Sequence, residues 1–527
     1  MFVSLMLLLV LMLQGGPEQR QGQPPAQQQP SPTPATTPTA SGQPAGPGGR
    51  AQPQPSPSPE ETPVVTRHEI RAAGRVLRYT ATTGMMPIKN REGETEARMF
   101  FMAYTLDDGG NRTRRPLTFA FNGGPGSASV WLHLGAIGPK RVRMNPDGTM
   151  PAPPYELVDN DLTWLTGSDL VFIDPVGTGY SRAARPELAQ RFFGLTGDIE
   201  SVGEFIRMYL TRYERWTSPL FLAGESYGTT RASALSEYLI QRGIAFNGIV
   251  LISTIMNFET TNFAAGNDLP YALYLPSYAA TAWFHKKLPS DLQSKTVQQV
   301  VAEVEQWAAN DYLVGLQKGD LLTQQERQDL INKLARYTGL EPRFIDNANL
   351  RVSLNLFRKE LLRNERRSIG RLDARFKGYD ANLATDSPDF DASETAIRPP
   401  YTSTFNNYVR SELGYKSDLE YYILGGGITS PWNWGTNNTY VDTSVALRTA
   451  LARNPYLKVF VAMGYYDMAT PYFAAHYTLH HISLDPTLLR NISTGYYEAG
   501  HMMYIDEKSL TKLRADVEKF MQDSTRR

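Results

Sequence analysis

Strand-like alternation of apolar and polar residues dominates the chain from residue 64 to residue 115. Residues 76–82 (Val-Leu-Arg-Tyr-Thr-Ala-Thr) are one example, and charged or glycine-rich turns separate such segments. When apolar residues recur at every second position, their side chains all lie on one buried face of a sheet. This part of the chain is therefore predicted to be an antiparallel meander.

Short, continuously apolar runs follow the meander. They occupy residues 117–121, 170–173, 220–223 and 248–253. Runs of this kind are typical of strands that are buried on both faces, as in a parallel sheet covered by helices. A helix predicted at about 196–213 leads into the third run, and strand and helix alternate as a parallel sheet requires. The pattern predicts an α/β fold with a mostly parallel central sheet flanked by helices.

The pattern changes between residues 265 and 385, where strand-like runs are few. Segments 297–309 and 324–337 carry apolar residues three and four apart, which is typical of amphipathic helices. We interpret 265–385 as a helical cap inserted over the active edge of the sheet.

The sheet pattern resumes at residues 457–463, and a last strand at 492–497 precedes a helix predicted at about 506–521. The cap would therefore interrupt a single α/β core. The predicted organisation is a signal-like segment (1–16), a linker (17–63), a first core segment (64–264), the cap (265–385) and a second core segment (386–527).

The N-terminal 63 residues differ in composition from the rest. Residues 1–13 are almost wholly apolar, like the central region of a secretory signal, and are too short to span about 30 Å of hydrocarbon as a helix. Pro, Gln, Ser, Thr, Ala and Gly dominate 17–63, a composition that buries too little apolar surface to fold. We expect an exported protein, periplasmic or extracellular, with no stable membrane span.

Charge and cysteine content exclude several classes of protein. Lys plus Arg and Asp plus Glu both number 53, so nothing in the charge balance indicates a nucleic-acid partner. The chain has no cysteine, which excludes disulfides, thiolate zinc sites and a cysteine nucleophile. The sequence gives no indication of the oligomeric state.

A Gly-x-Ser-x-Gly motif lies directly after the apolar run 220–223. Residues 224–228 (Gly-Glu-Ser-Tyr-Gly) precede a helical pattern, so the chain reads as strand, sharp turn and helix. A nucleophile elbow needs this arrangement, because the strained turn leaves no room for side chains where strand and helix meet. Ser226 is the candidate nucleophile, and the N–H of Tyr227 would point at the oxyanion.

A second glycine-rich loop, residues 122–127 (Asn-Gly-Gly-Pro-Gly-Ser), ends the run 117–121. Such a loop lets the backbone approach a ligand closely and present N–H groups, as oxyanion-hole loops do in α/β-hydrolases. Farther along the chain, Asp467 follows the run 457–463 and His501 follows the last predicted strand. Nucleophile, acid and histidine therefore occur in the order found in α/β-hydrolases.

These four motifs, in this order, resemble the serine carboxypeptidase family of α/β-hydrolases, and the absence of cysteine suggests a bacterial-type member. The resemblance implies removal of single residues from the free C-terminus of a peptide substrate, with no cofactor and no metal ion. The residues implied are Ser226, His501 and Asp467 as the catalytic triad, Gly124 and Tyr227 as oxyanion donors, and Asn122, Gly123 and Glu225 as substrate-binding residues.

Two positions depart from the family pattern. Ser127 stands where members commonly have cysteine, and Ala136 stands where well-studied members have a second glutamate that shares a proton with the one before the nucleophile. A solitary Glu225 would repel a substrate carboxylate unless it is protonated. Ala136 therefore keeps two alternatives open, an esterase or an acyltransferase with the same triad. A non-catalytic binding protein is the third alternative.

Four further residues attract attention by type or spacing. His476 and His480 are four apart on a predicted helix, which is metal-ligand spacing, but they lack a third ligand, so we interpret them as partly exposed helix residues. His133 lies near the glycine loop and is a candidate for lining the site. Arg231 is expected to form a structural ion pair. The basic run 358–367 contains glutamates and is interpreted as a solvated helix face.

Overall fold

A ten-stranded sheet is the largest element of residues 62–526, the part of the chain that the computed structural model describes. Two short two-stranded sheets accompany it. The strands, in chain order, are β1 (Val64–Ala72), β2 (Arg75–Lys89), β3 (Thr95–Leu106), β4 (Leu117–Phe121), β5 (Lys140–Val142), β6 (Leu157–Asp159), β7 (Asp169–Ile173), β8 (Arg182–Ala183), β9 (Leu220–Ser226), β10 (Gly248–Thr254), β11 (Ser368–Ile369), β12 (Lys377–Gly378), β13 (Lys458–Gly464) and β14 (Ile492–Tyr497).

The large sheet combines an antiparallel edge with a parallel centre. Its order is β1-β2-β3-β7-β4-β9-β10-β13-β14, and β8 pairs with β3. The pairs from β7 to β14 are all parallel, whereas β1, β2 and β3 form an antiparallel meander that joins β7. The predicted meander and the mostly parallel sheet are confirmed.

Helices cover the sheet and fill the segment between β10 and β13. They are α1 (Val130–Leu132), α2 (Ala189–Phe192), α3 (Leu195–Arg212), α4 (Tyr227–Ile240), α5 (Leu269–Phe284), α6 (Ser290–Gln293), α7 (Val297–Trp307), α8 (Leu313–Lys318), α9 (Gln324–Thr338), α10 (Pro342–Asn347), α11 (Leu354–Glu360), α12 (Ala392–Ser411), α13 (Ser444–Arg453), α14 (Tyr472–His480), α15 (Pro486–Leu489) and α16 (Glu507–Thr525). Four helices predicted from the sequence correspond to α3, α7, α9 and α16, with ends shifted by at most four residues.

The parallel strands are buried on both faces, as their unbroken apolar composition predicts. In β9, Leu220 and Leu222 belong to one apolar cluster, and Phe221 and Ala223 belong to another on the opposite face of the sheet. Apolar packing thus holds the sheet in place from both sides. Because β4, β9 and β13 run parallel, their carboxyl ends lie at the same edge of this sheet.

Residues 265–385 are mainly helical, with α5 to α11 and the short β11-β12 pair. Within this segment, α5 packs against α7 and α9, and most of its side chains are buried. The boundaries of the cap remain a prediction. The basic run differs from its predicted solvated face, since Lys359 is buried and its Nζ lies 2.6 Å from Asp380 Oδ2. The charge pattern of the run could not reveal this ion pair, because Asp380 lies 21 residues farther along the chain.

None of the helices within residues 62–526 is long and apolar enough to cross a membrane. The signal-like segment 1–16 and the linker up to residue 61 lie outside the described residues.

Candidate active site

Ser226 lies at the junction of β9 and α4 with a strained backbone. Its φ of 59° and ψ of −130° are sparsely populated for a residue with a side chain. The flanking glycines leave room for this turn, since a Cβ at Gly224 would lie 2.2 Å from Gly228 O, and one at Gly228 would lie 2.9 Å from Phe121 O. Strand, turn and helix thus form the elbow that the motif predicted.

The glycine-rich loop after β4 touches the start of α4 through its main chain. A Cβ at Gly123 would lie 2.4 Å from Tyr227 N and 2.7 Å from Gly228 N. Tyr227 is the first residue of α4, where backbone N–H groups have no carbonyl of a preceding turn to bind. Gly124 adopts a φ of 100°, which an L side chain rarely takes. The two predicted oxyanion donors, Gly124 and Tyr227, are therefore on neighbouring backbone segments.

The Asp467 carboxylate orients the His501 ring. Oδ2 of Asp467 lies 2.8 Å from His501 Nδ1 and accepts a hydrogen bond from the Thr470 hydroxyl at 2.8 Å. Oδ1 accepts the backbone N–H groups of Ala469 at 2.8 Å and Thr470 at 2.9 Å. A carboxylate with this many donors has a fixed orientation, and it fixes the ring in turn.

The backbone around His501 is held from three directions. Its N–H donates to Leu372 O at 2.6 Å, and its carbonyl accepts the Ser253 hydroxyl at 2.6 Å. A Cβ at Gly464, the last residue of β13, would lie 2.4 Å from Gly500 O, so the turns after β13 and β14 are in contact. Burial lowers the pKa of His501, but the charge and hydrogen bond of Asp467 outweigh it and leave that pKa raised above 6.5.

A cavity of about 330 Å³ brings the predicted site residues together. Seven of the eight line it: Asn122, Gly123, Gly124, Glu225, Ser226, Tyr227 and His501. Asp467, 1% exposed, is the exception and contacts the ring of His501. Residues from the segment after β10 and from 371–397 also line the cavity, which lies at the carboxyl edge of the sheet.

Glu225 and Asn122 form the polar end of this cavity. The carboxyl of Glu225 is 3% exposed, and its Oε2 accepts a hydrogen bond from the Tyr504 hydroxyl at 2.6 Å. Burial raises the pKa of Glu225 to about 7, although His501 and Tyr504 both oppose the rise. Oδ1 of Asn122 accepts the Leu132 N–H at 3.0 Å, and its buried side-chain amide lies beside the Glu225 carboxyl, whose pKa it lowers. A protonated acid beside an amide donor is an arrangement that suits a carboxylate ligand.

Arg231 forms the buried ion pair that the sequence analysis expected. Its Nε lies 2.8 Å from Asp198 Oδ2, and its Nη1 donates to Asn122 O at 2.6 Å. The hydroxyl of Tyr227 donates to the same Asp198 oxygen at 3.1 Å. Arg231 therefore connects α3, α4 and the glycine loop. It has a structural role and does not line the cavity.

Ala136 and His133 lie behind the site. Both are fully buried, and neither lines the cavity, so the expectation that His133 might line the site is wrong. His133 Nε2 is 2.7 Å from the Tyr104 hydroxyl, and burial lowers its pKa to about 3. Proximity in sequence misled here because residues 133–137 turn away from the loop as a π-helical segment.

The two histidines on α14, His476 and His480, contact each other. His476 Nε2 and His480 Nε2 are 2.9 Å apart, and His480 is exposed. Residues 62–526 contain no group of three His, Cys, Asp or Glu side chains placed to hold a metal ion.

Sequence reasoning missed several residues that line the cavity or, like Tyr504, contact a residue that lines it. Tyr504 and Thr470 carry no motif of their own, although each lies three residues after a predicted triad member. That short spacing was the available signal. Arg371, Leu372 and Glu394 reach the cavity from beyond α11, and only the fold places them there.

The parallel sheet, the strained Ser226 elbow and the His501–Asp467 pair define an α/β-hydrolase. The family model described as serine carboxypeptidase matches residues 75–511. Since this match covers most of the chain, the protein belongs to the serine carboxypeptidase family.

Individual relatives match shorter parts of the chain. Serine carboxypeptidase-like 13 of Arabidopsis thaliana is 25% identical over 37% of this chain and 44% of its own length. Pheromone-processing carboxypeptidase KEX1 of Saccharomyces cerevisiae is 31% identical over 27% of this chain. The match covers 20% of KEX1, so this chain spans less than half the length of either relative.

Among solved structures, the crystal structure of KEX1(delta)p, a prohormone-processing carboxypeptidase from Saccharomyces cerevisiae, is similar to this chain. It is 18% identical, with a TM-score of 0.49, and the match covers 84% of this chain and 91% of that one.

Proposed function

We propose that this protein is a serine carboxypeptidase that hydrolyses the last peptide bond of a substrate with a free C-terminus. The observation that carries the proposal is that Ser226, His501, Asn122 and Glu225 line one cavity, which would combine a nucleophile with a site for the substrate carboxylate. The substrate carbonyl would lie near Ser226, and the terminal carboxylate would lie against the polar end of the cavity.

The reaction would proceed through an acyl-enzyme. Asp467 keeps the Nδ1 proton of His501 in place at 2.8 Å, which leaves Nε2 free to take the Ser226 proton. Ser226 Oγ attacks the carbonyl carbon, and the N–H groups of Gly124 and Tyr227 stabilise the oxyanion. His501 then protonates the leaving amine and afterwards activates the water that cleaves the ester.

The carboxylate site would work through a neutral Glu225. A pKa of about 7 keeps this acid protonated in mildly acidic solution, so it can donate a hydrogen bond to a substrate carboxylate instead of repelling it. The side-chain amide of Asn122, beside Glu225, supplies a second donor, and Gly123 allows the loop backbone to approach.

The proposal is tested with one blocked dipeptide in three forms: free acid, C-terminal amide and methyl ester. Between pH 4 and 8 the free acid is expected to be the best substrate, with Ser226→Ala as the blank for each form. Near-normal hydrolysis by Ser226→Ala would remove Ser226 as the nucleophile. Turnover of the ester alone would leave the triad in place and overturn the carboxypeptidase assignment.

An esterase or acyltransferase with the same triad is the second candidate function. Ala136 supports it, because the second glutamate of well-studied members is missing at this position. An acyltransferase would release more ester product than acid when an alcohol acceptor is added to the ester assay.

A non-catalytic binding protein and the cellular location are tested separately. Labelling by a fluorophosphonate distinguishes an enzyme, which should react at Ser226, from a catalytically dead scaffold. We further propose export to the periplasm or the exterior of the cell, supported by the apolar residues 1–13. N-terminal sequencing of the mature protein is expected to find the signal-like segment removed, and a protein that begins with Met1 would contradict cleavage.

A further inference from the structure

Tyr504 is the direct hydrogen-bond partner of the Glu225 carboxyl. Its hydroxyl donates to Glu225 Oε2 at 2.6 Å, and both side chains are at most 3% exposed. Tyr504 belongs to a short 3₁₀ turn after His501, Met503–Ile505, whereas Glu225 is the penultimate residue of β9. The contact therefore links the loop that carries His501 to the nucleophile strand, next to the cavity that Glu225 lines.

Gly135 makes room for the Tyr504 ring. A Cβ at this position would lie 2.4 Å from Tyr504 Cε2 and 2.6 Å from the Tyr401 hydroxyl oxygen. Residue 135 therefore has to be glycine while Tyr504 occupies its present place. Ala136, the next residue, is fully buried and does not line the cavity. The space next to Glu225 is thus filled by a tyrosine from the C-terminal part of the chain and not by an acid from residues 133–137.

We propose that Tyr504 is a positioning residue that orients Glu225 for recognition of the substrate carboxylate, in place of a second carboxyl group. This inference rests on the proposed carboxypeptidase function. The hydroxyl of Tyr504 occupies Oε2, so the proton of neutral Glu225 resides on Oε1, the oxygen left for the cavity that Glu225 lines. A tyrosine partner stays neutral throughout the working pH range, because burial raises its pKa well above 10.

The titratable groups that face Glu225 come from three elements. His501 and Tyr504 approach from the loop after β14, Asp467 from the loop after β13, and Tyr401 from α12. Burial and the charge of Asp467 raise the pKa of Glu225, whereas His501 and the hydrogen bonds of Tyr504 and Asn122 lower it. Removal of the Tyr504 hydroxyl should therefore raise the pKa of Glu225 and, at the same time, free its carboxyl to rotate.

The test is Tyr504→Phe, assayed on the free acid and on the methyl ester of one blocked dipeptide. We expect KM for the free acid to rise about tenfold with little change in kcat, the effect of losing one hydrogen bond to an ionisable group. The alkaline limb of the free-acid profile should move to higher pH. Ester hydrolysis, which needs no carboxylate site, should change less than about twofold.

Tyr497→Phe is the matched control. The Tyr497 hydroxyl also donates to a carboxylate, Asp516 Oδ2, at 2.7 Å, and Tyr497 is 1% exposed, but Asp516, unlike Glu225, does not line the cavity. This variant loses the same kind of bond and should retain wild-type kinetics on both substrates. Glu225→Gln, which keeps the shape and loses the titration, should abolish the alkaline limb for the free acid.

The outcomes separate this inference from the proposed function. If wild-type protein cleaves the free acid and Tyr504→Phe changes kcat for both substrates equally, or changes neither, the role of Tyr504 in orienting Glu225 is overturned. If wild-type protein cleaves the ester but not the free acid at any pH, the carboxypeptidase proposal fails and the inference about Tyr504 fails with it.

Discussion

Thr470 donates its hydroxyl to the same Asp467 oxygen that lies 2.8 Å from His501 Nδ1. The two backbone N–H groups at 469 and 470 occupy the other oxygen of this carboxylate. Asp467 thus has no freedom to rotate away from His501. The first prediction concerns this pair.

Asp467→Asn should lower kcat by about 10³- to 10⁴-fold, because an amide at this position no longer favours the productive tautomer of His501. Thr470→Val removes one of the donors and should cost much less, about tenfold at most. Steady-state kinetics with the methyl ester measure both variants. Equal losses for the two would show that Asp467 does not act through the histidine ring.

Gly123→Ala should lower kcat by about 10²-fold or more, since its Cβ would lie 2.4 Å from Tyr227 N and push the two oxyanion segments apart. Gly167→Ala is the matched control, because the nearest atom to its Cβ is 3.9 Å away and the residue is exposed. The ester assay and a thermal melt distinguish lost catalysis from lost folding. A fully active Gly123→Ala would contradict the predicted oxyanion hole.

The pH profile should depend on whether the substrate carries a carboxylate. His501 must be neutral to act as a base, so activity on any substrate should rise with pH through its raised pKa. Binding of the free acid also needs protonated Glu225, whose pKa is about 7, so that activity should fall above neutral pH. Measurement of kcat/KM should give a bell for the free acid and a plateau for the amide; identical profiles would contradict the role of Glu225.

Glu225 should make the folded protein less stable as pH rises from about 4.5 to 7. The folded state keeps a proton on Glu225 that the unfolded chain releases near its ordinary pKa of 4.5, so stability is lost through this window. The free energy of unfolding falls by an amount on the order of 3 kcal/mol, because folding raises the pKa of Glu225 by about 2.5. Glu225→Gln lacks this titration, so urea unfolding should show its stability relative to wild type rising between pH 4.5 and pH 8. A pH-independent difference would mean that Glu225 is not buried as a neutral acid.

Most strands and the helices α3, α7, α9 and α16 could be predicted from local pattern, whereas α12, a helix of 20 residues, was not predicted. The continuous apolar runs correspond to β4, β7, β9, β10 and β13 because strands buried on both faces need apolar residues at every position. Helix ends were less accurate: α16 runs to Thr525, four residues past the predicted end, because side-chain contacts with the core extend it. The boundaries of the cap stay untested.

The sequence by itself determined the candidate site at the motif level. Ser226, Asp467 and His501 were recognisable because a tight strand-to-helix turn and strand-end loops require specific residue types at fixed spacing. The glycines at 123, 224 and 228 were recognisable for the same reason, since close backbone contacts at these positions leave no room for a side chain.

Only the tertiary structure decided what surrounds Glu225. Tyr504 is 279 residues away along the chain, and Gly135 and Tyr401 come from two further segments. A local pattern could not predict these contacts, because they depend on how the end of β9, segment 133–137 and the loop after β14 pack against α12. The loss of an acid at 136 was visible in the sequence, whereas the tyrosine beside Glu225 appears only when the sheet brings these loops to one edge.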